Sequence, residues 1–234
     1  MTSLNRLALF DIDGTLLWPD GLGRAAFVAA LERTYGTAGV IASFSFAGYT
    51  DRGIAQRALA PAGIDEATIW ARFDALRTAL IEETARRRPN HNVQPCPGAH
   101  TLIKTLAARD DIVLGLLTGN VRGAAFVKLE AAGFDPADFR VGVYGDEADE
   151  RSDLPPIAAA RAAELTGRPF AGKEIVIIGD TVADITCGRG VGARSIAVCT
   201  GWVTRDVLAA ANPDFLFDDL QDTEAALAAI EAEG

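Results

Sequence analysis

Arg6-Leu7-Ala8-Leu9-Phe10-Asp11-Ile12-Asp13-Gly14-Thr15-Leu16-Leu17 is a short apolar run that stops on two carboxylates one residue apart. Leu7 to Phe10 are apolar at every position, the pattern of a strand covered on both faces within a parallel sheet. Open parallel sheets bind ligands just beyond the carboxyl ends of their strands, so Asp11 is predicted to stand where a substrate binds. Asp13 lands beside it. Two neighbouring, half-buried carboxylates are costly unless a cation neutralises them or one takes a proton, and a hard divalent ion such as Mg²⁺ suits oxygen ligands of this kind. Gly14 lets the backbone turn sharply and approach a ligand, and Thr15 offers a hydroxyl and an N–H.

Downstream of this run the periodicity changes. Ala25, Phe27, Val28 and Leu31 share a helical face from about Arg24 to Tyr35, a second helix starts at Thr50 or Asp51, and Ile69, Phe73, Leu76, Leu80 and Ile81 predict one helix from about Glu66 to Arg88. No strand pattern occurs between Leu17 and Pro95. A parallel sheet needs its next strand soon after the first, so this block reads as a helical cap, 18–94, inserted into a core made of 1–17 and 95–234. Beyond Pro95-Cys96-Pro97-Gly98, strands and helices alternate. Strands are expected at Ile112–Leu117, Arg140–Val143, Glu174–Ile178, Ser195–Val198 and Phe215–Phe217, with helices carrying Leu102, Ile103 and Leu106, running through Phe126, Val127 and Leu129 to Gly133, over Leu154–Leu165, from about Ala183, and from Thr223. The fold class is therefore α/β, a doubly wound parallel sheet with right-handed crossovers and an inserted α-helical domain.

Three predicted strand ends carry polar groups: Asp11 with Asp13, Thr118-Gly119-Asn120, and Asp180 with Asp184. A threonine hydroxyl and the N–H groups of Gly119 and Asn120 at a helix start are suited to an anionic oxygen. Asp180 and Asp184 are one helical turn apart, a spacing that faces both carboxylates toward one ion.

Composition narrows the partners. The 234-residue chain is 49% hydrophobic, enough for a sizeable core, and its net charge of −10 argues against a general affinity for nucleic acid or acidic membranes. Cys96, Cys187 and Cys199 are odd in number and lack paired metal spacing, so they read as small buried residues of a cytoplasmic protein. Met1 to Asn5 is too short and polar to precede a signal sequence, and no apolar run approaches membrane-spanning length. His91 and His100 have no partner at metal spacing. The expected assembly is a monomer or homodimer.

These motifs resemble the haloacid dehalogenase-like hydrolases, in particular their phosphoglycolate-phosphatase-like branch. The first motif stands at Asp11-Ile12-Asp13-Gly14-Thr15, the second at Thr118, the fourth at Asp180 and Asp184, and the helical insertion follows the first strand. The resemblance implies a Rossmann-like core, a bound Mg²⁺, an aspartyl-phosphate intermediate and a small phosphorylated metabolite as the ligand. Asp11 would be the nucleophile and Asp13 the general acid and base. The Asp13 carbonyl and the Asp11 and Asp180 side chains would hold the metal, with Asp184 behind them.

The third motif departs from the family pattern. Where relatives carry a lysine, this chain reads Glu150-Arg151-Ser152-Asp153-Leu154-Pro155, so Arg151 is the candidate phosphate-binding cation and Lys128 its rival. Asp13 favours phosphoryl transfer, since the dehalogenases of the superfamily lack that second carboxylate and a halide needs no proton to leave. No lysine lies between Leu17 and Pro95, against the imine mechanism of the phosphonate-cleaving relatives. Arg52, in the cap loop Gly48-Tyr49-Thr50-Asp51-Arg52, is a candidate partner for a substrate anion, and Trp18 and Tyr49 are candidates for cavity lining or cap–core packing. A phosphomutase or phosphotransferase would use the same aspartates, and a catalytically silent binding protein of the same fold is the remaining alternative.

Overall fold

Leu7, Ala8, Leu9 and Phe10 are all fully buried, because their strand β1 (Arg6–Phe10) occupies the middle of a sheet covered on both faces. The computed structural model describes residues 6–233, so the Met1–Asn5 stretch discussed above lies outside the described residues. The main sheet has six parallel strands. They are β1, β4 (Ile112–Leu117), β5 (Val141–Val143), β6 (Ile175–Gly179), β7 (Arg194–Val198) and β8 (Phe215–Phe217), in spatial order β5-β4-β1-β6-β7-β8. Side chains alternate between two cores. Ala8, Phe10, Leu114 and Leu116 enter one with Leu102 and Leu129, and Leu7, Leu9, Val113 and Leu117 enter the other with Leu154 and Ala158. From β1 the chain builds β4 and β5 on one side and then returns to build β6, β7 and β8 on the other. The carboxyl end of β1 is thus the point where strand order reverses, the usual place for a ligand crevice.

The helices flanking this sheet are α5 (Ala99–Ala107), α6 (Arg122–Ala131), α7 (Leu154–Thr166), α8 (Val182–Cys187), α9 (Arg205–Ala210) and α10 (Thr223–Glu231). The short α9 has no counterpart among the sequence expectations. It carries one buried residue, Leu208, too little apolar surface to set up a readable period.

Between the first two strands of the main sheet lie α1 (Leu22–Tyr35), α2 (Asp51–Leu59), α3 (Glu66–Ala71) and α4 (Phe73–Arg87). They enclose a hydrophobic cluster of their own with Phe27, Leu31, Ile54, Leu59, Leu76 and Leu80. Two sequence expectations are corrected here. The single helix from Glu66 to Arg88 is broken at Arg72, whose φ of −108° and ψ of 4° leave the helix while its guanidinium donates to Thr34 O on α1 at 3.3 Å. The segment Leu17–Pro95 is not free of strand either, because β2 (Leu17–Trp18) and β3 (Gln94–Pro95) pair antiparallel where the chain leaves and re-enters the sheet domain. Both are two residues long, too short for a period-2 signal. No helix among the described residues is long and apolar enough to cross a membrane.

Candidate active site

The end of β1 is drawn into its turn by a single acceptor, since Ile12 O receives the N–H groups of Thr15, Leu16 and Leu17. Asp11 N–H still donates to Ile178 O at 2.9 Å, so Asp11 sits at the last rung of the β1–β6 pairing. Gly14 closes the turn with φ of +89°, a region that favours glycine. A Cβ there would also lie 2.5 Å from Asp180 Oδ2.

Asp11, Asp180 and Asp184 converge from β1 and from the β6–α8 turn, with one carboxylate oxygen of each within 4.8 Å of the others. All are buried. Arg151 meets them at the start of α7, where its Nη2 donates to Asp11 Oδ1 at 2.8 Å and to Leu117 O at 3.2 Å and lies 2.5 Å from Asp184 Oδ1. Asp184 is oriented from behind: its Oδ2 accepts from the Thr181 N–H at 3.0 Å and the Thr181 hydroxyl at 2.6 Å, a capping box that starts α8. Asp180 Oδ1 accepts from the Thr15 hydroxyl at 3.2 Å, and its Oδ2 is buried with no hydrogen-bond partner.

A second set surrounds Asp13. Lys128 Nζ lies 2.6 Å from Asp13 Oδ2 and donates to Asn120 Oδ1 at 2.6 Å, while Asn120 Nδ2 donates to the same Asp13 oxygen at 2.8 Å and to Thr118 Oγ1 at 2.9 Å. The other Asp13 oxygen is buried and unpartnered. The two cations that the sequence left as rivals are therefore both present, Arg151 on Asp11 and Lys128 on Asp13.

Electrostatics follow from this crowding. Burial, and then the neighbouring Asp184 and Asp13, push the Asp11 carboxyl up to about 6 against the pull of Arg151. Asp180 is raised well above the usual carboxylate range by burial and by Asp11 and Asp184. Arg151 is held protonated by Asp184 and Asp11, which outweigh the opposing effect of its burial. Four carboxylates (Asp11, Asp13, Asp180, Asp184) face two cations (Arg151, Lys128). The surplus of two negative charges, the all-oxygen donor set and the orphaned Asp180 oxygen fit a divalent cation.

Above this floor lies a cavity of about 360 Å³ roofed by the inserted helices. The roof is fastened to the floor at the start of α2, where Thr50 caps the helix and Asp51 N–H donates to Gly119 O at 2.7 Å. Thr50 Oγ1 donates to Asp149 O at 2.7 Å, and Arg52 N–H donates to Gly145 O at 3.1 Å. The Asp51 carboxylate accepts from Val121 N–H, and burial pushes it up to about 7. Arg52 does not line the cavity: it pairs with Asp149 at 2.5 Å and lies over the Trp70 ring. Tyr49 lines the cavity, while Trp18 contacts Trp202 edge-on at 5.1 Å across the rim. His91 Nδ1 donates to Asp20 O and His100 stacks on Phe134, and neither histidine lines the cavity.

Three contributors were not singled out in the sequence. Thr200 Oγ1 donates to Gly14 O at 2.6 Å, and a Cβ at Gly201 would sit 1.6 Å from Asp180 Oδ2. A Cβ at Gly179 would overlap Asp184. Their position directly after β7 and at the end of β6, on the edge shared with Asp11 and Thr118, was the available signal.

A family model for haloacid dehalogenase-like hydrolases matches residues 6–192. The chain belongs to that family. It is accordingly an enzyme of the hydrolase class. The chain is 25% identical over 220 residues to a pyrophosphatase PpaX of Bacillus pumilus, covering 92% of each chain. It is also 25% identical over 230 residues to a phosphoglycolate phosphatase of Pectobacterium atrosepticum, covering 95% of this chain and 92% of the relative. Among solved structures, a hydrolase from Pseudomonas syringae superposes with a TM-score of 0.69 at 21% identity, covering 97% of this chain and all (100%) of the other. CbbY from Rhodobacter sphaeroides, in complex with phosphate, gives 0.69 at 22% identity over 93% and 95%. At that identity the two structures bear on the fold.

Proposed function

We propose that this chain is a Mg²⁺-dependent phosphatase that hydrolyses a small, soluble phosphate monoester through an aspartyl-phosphate on Asp11. In this proposal 1–17 and 95–234 form the catalytic core and 18–94 the cap. The observation that carries it is the convergence of Asp11, Asp180 and Asp184 within 4.8 Å, with Arg151 seated on Asp11 and Asp13 beside them. The names of the two curated relatives, both enzymes that cleave phosphate compounds, support the same class of reaction.

Asp11 and Asp180, with the Asp13 carbonyl, would hold the metal, and Asp184 would steer it from behind. When bound, the ion supplies positive charge that offsets repulsion between a carboxylate and a phosphate dianion. Arg151 supplies fixed positive charge from the protein on the same carboxylate, and Thr118 with the Gly119 and Asn120 N–H groups offers donors to the phosphoryl oxygens. The Gly14 and Thr15 N–H groups, expected from the sequence to meet substrate, are instead spent within the turn on Leu17 O at 2.8 Å and Ile12 O at 3.3 Å. Asp11 attacks phosphorus, and the leaving oxygen takes a proton from Asp13. Asp13 then removes a proton from water, which attacks the phosphoryl group on Asp11, releasing inorganic phosphate and restoring the carboxylate. Lys128 and Asn120 both grip the same oxygen of Asp13, leaving the other oxygen free for this proton traffic.

The decisive measurement is turnover of p-nitrophenyl phosphate with Mg²⁺ by the intact chain and by Asp11→Asn. Hydrolysis that disappears in the variant and on chelation is expected. Turnover unchanged in Asp11→Asn would overturn the assignment.

A further inference from the structure

The cavity over the carboxylates has walls of two kinds. Its floor carries the charged groups, whereas the cap side presents Phe27, Phe46, Tyr49, Ile54 and Leu80, joined by Ala124 at the start of α6. Phe27 and Phe46 meet edge-on at 5.6 Å. Such a wall gives a leaving group apolar contact and few hydrogen bonds.

Charge on the roof points the same way. Arg24 is the one cap cation among the described cavity-lining residues, and its guanidinium is turned back into the roof. Nη1 donates to Ile41 O at 2.9 Å, Nη2 donates to Phe44 O at 2.8 Å, and the group lies 4.1 Å from the centre of the Phe46 ring. Arg52 is drawn away to Asp149. Arg57 lies over Tyr49 and lines no part of the cavity. On the floor, Lys128 and Arg151 are committed to Asp13 and to Asp11 with Asp184. Asp51 faces the same space from the cap. A second negative charge, on the part of the substrate beyond its phosphoryl group, would meet aromatic faces and a carboxylate rather than a cation, and would lose its hydration without recompense.

Resting on the phosphatase reading, we propose that the cavity selects phosphate monoesters whose leaving group is uncharged and mainly apolar, of the size of one aromatic ring or a branched alkyl chain. At about 360 Å³ the space is at the small end for a ligand site, roughly 300–1,000 Å³, and it must also hold the phosphoryl group. This sets the chain apart from the substrates in the names of its two curated relatives, pyrophosphate and phosphoglycolate, both of which put further negative charge where this roof has no free cation.

The test compares kcat/KM of the intact chain with Mg²⁺ on four compounds, the alkyl esters benzyl phosphate, phosphoglycolate and glucose 6-phosphate and the anhydride pyrophosphate. Benzyl phosphate is expected to lead each of the others by about tenfold or more, the range by which an apolar pocket discriminates. A higher value for phosphoglycolate, pyrophosphate or the sugar phosphate overturns the selectivity while leaving the phosphatase reading standing. No turnover of any of the four, nor of p-nitrophenyl phosphate, defeats that reading and the selectivity with it. A second measurement separates the roof from the phosphate floor. In Phe46→Ala, a half-buried position, KM for benzyl phosphate is expected to rise about tenfold while inhibition by inorganic phosphate is unchanged. An unchanged KM in that variant also overturns the proposal.

Discussion

The Asp51 carboxylate, carried by the inserted helices, accepts a hydrogen bond at 2.7 Å from the N–H of Val121, the residue that opens α6 in the sheet domain. The Asp51 N–H meanwhile donates to Gly119 O. One cap residue thus holds both sides of the Thr118-Gly119-Asn120 turn. Removing this acceptor in Asp51→Ala orphans Val121 N–H, at a cost of about 0.5–2 kcal/mol as for other helix caps, and lets the turn relax. The expected kinetic signature is a lower kcat for p-nitrophenyl phosphate together with a fall in melting temperature.

Asp51→Asn keeps an acceptor and removes the buried charge. Asp51 is raised from 3.8 to about 7 chiefly by burial. Its folded form therefore holds a proton that the unfolded chain has released between those values, and its contribution to stability is full below pH 3.8 and falls as pH rises toward 7. Relative to the natural chain, Asp51→Asn should gain melting temperature progressively from pH 5 to pH 8. A difference independent of pH would count against Asp51 as the titrating group.

On the proposed reading, protons and metal would compete for the same oxygens. Burial and neighbouring carboxylates push Asp11 up to about 6, and Asp180 is raised well above its usual range for the same reasons. Mg²⁺ binding must release those protons, so affinity should weaken as pH drops through about 6, and calorimetry in two buffers should detect proton release on binding. Equal affinity at pH 5.5 and 7.5 would contradict this linkage.

Gly201→Ala tests how tightly Asp180 is placed. The added Cβ would fall 1.6 Å from Asp180 Oδ2, so the carboxylate must move although no ligand is deleted. A displacement of that order lowers kcat by about a hundredfold. Wild-type turnover with Mg²⁺ in this variant would show that Asp180 tolerates the shift.

Arg151 and Lys128 differ in what they leave behind. Arg151→Met strands Asp11 and Asp184 in a buried place, and breaking a buried pair in this way costs about 3–5 kcal/mol. Loss of fold stability should accompany loss of activity, and Arg151→Lys should recover much of both. Lys128→Met frees an Asp13 oxygen that Asn120 still grips. Its effect should be smaller on melting temperature and centred on kcat, measured with p-nitrophenyl phosphate at saturating Mg²⁺.

The strands and the acidic strand ends were legible because both signals are local: an apolar run that needs two covered faces, and polar residues where it stops. Ile112–Leu117 was readable to the residue for that reason. What the sequence left open depends on contacts between distant segments. Whether Arg151 or Lys128 approaches the carboxylates is decided by the packing of α6 and α7 on the sheet, which brings both. Asp51 looks like one more first-turn acid in a helix, and only docking of the cap onto Val121 gives its carboxylate a second task. Arg52, one position later, has the right charge for a substrate but is turned toward Asp149. The Arg72 break is likewise tertiary, made by a guanidinium reaching α1.

Trp18 stands on the ribbon that leads into the inserted helices, Trp202 on the loop after β7, and their rings touch edge-on at 5.1 Å. The chain has only one further indole, Trp70. The pair is thereby a native optical gauge across the seam: a motion that changed the distance between these rings would alter their emission, and stopped-flow fluorescence would read it without an attached dye.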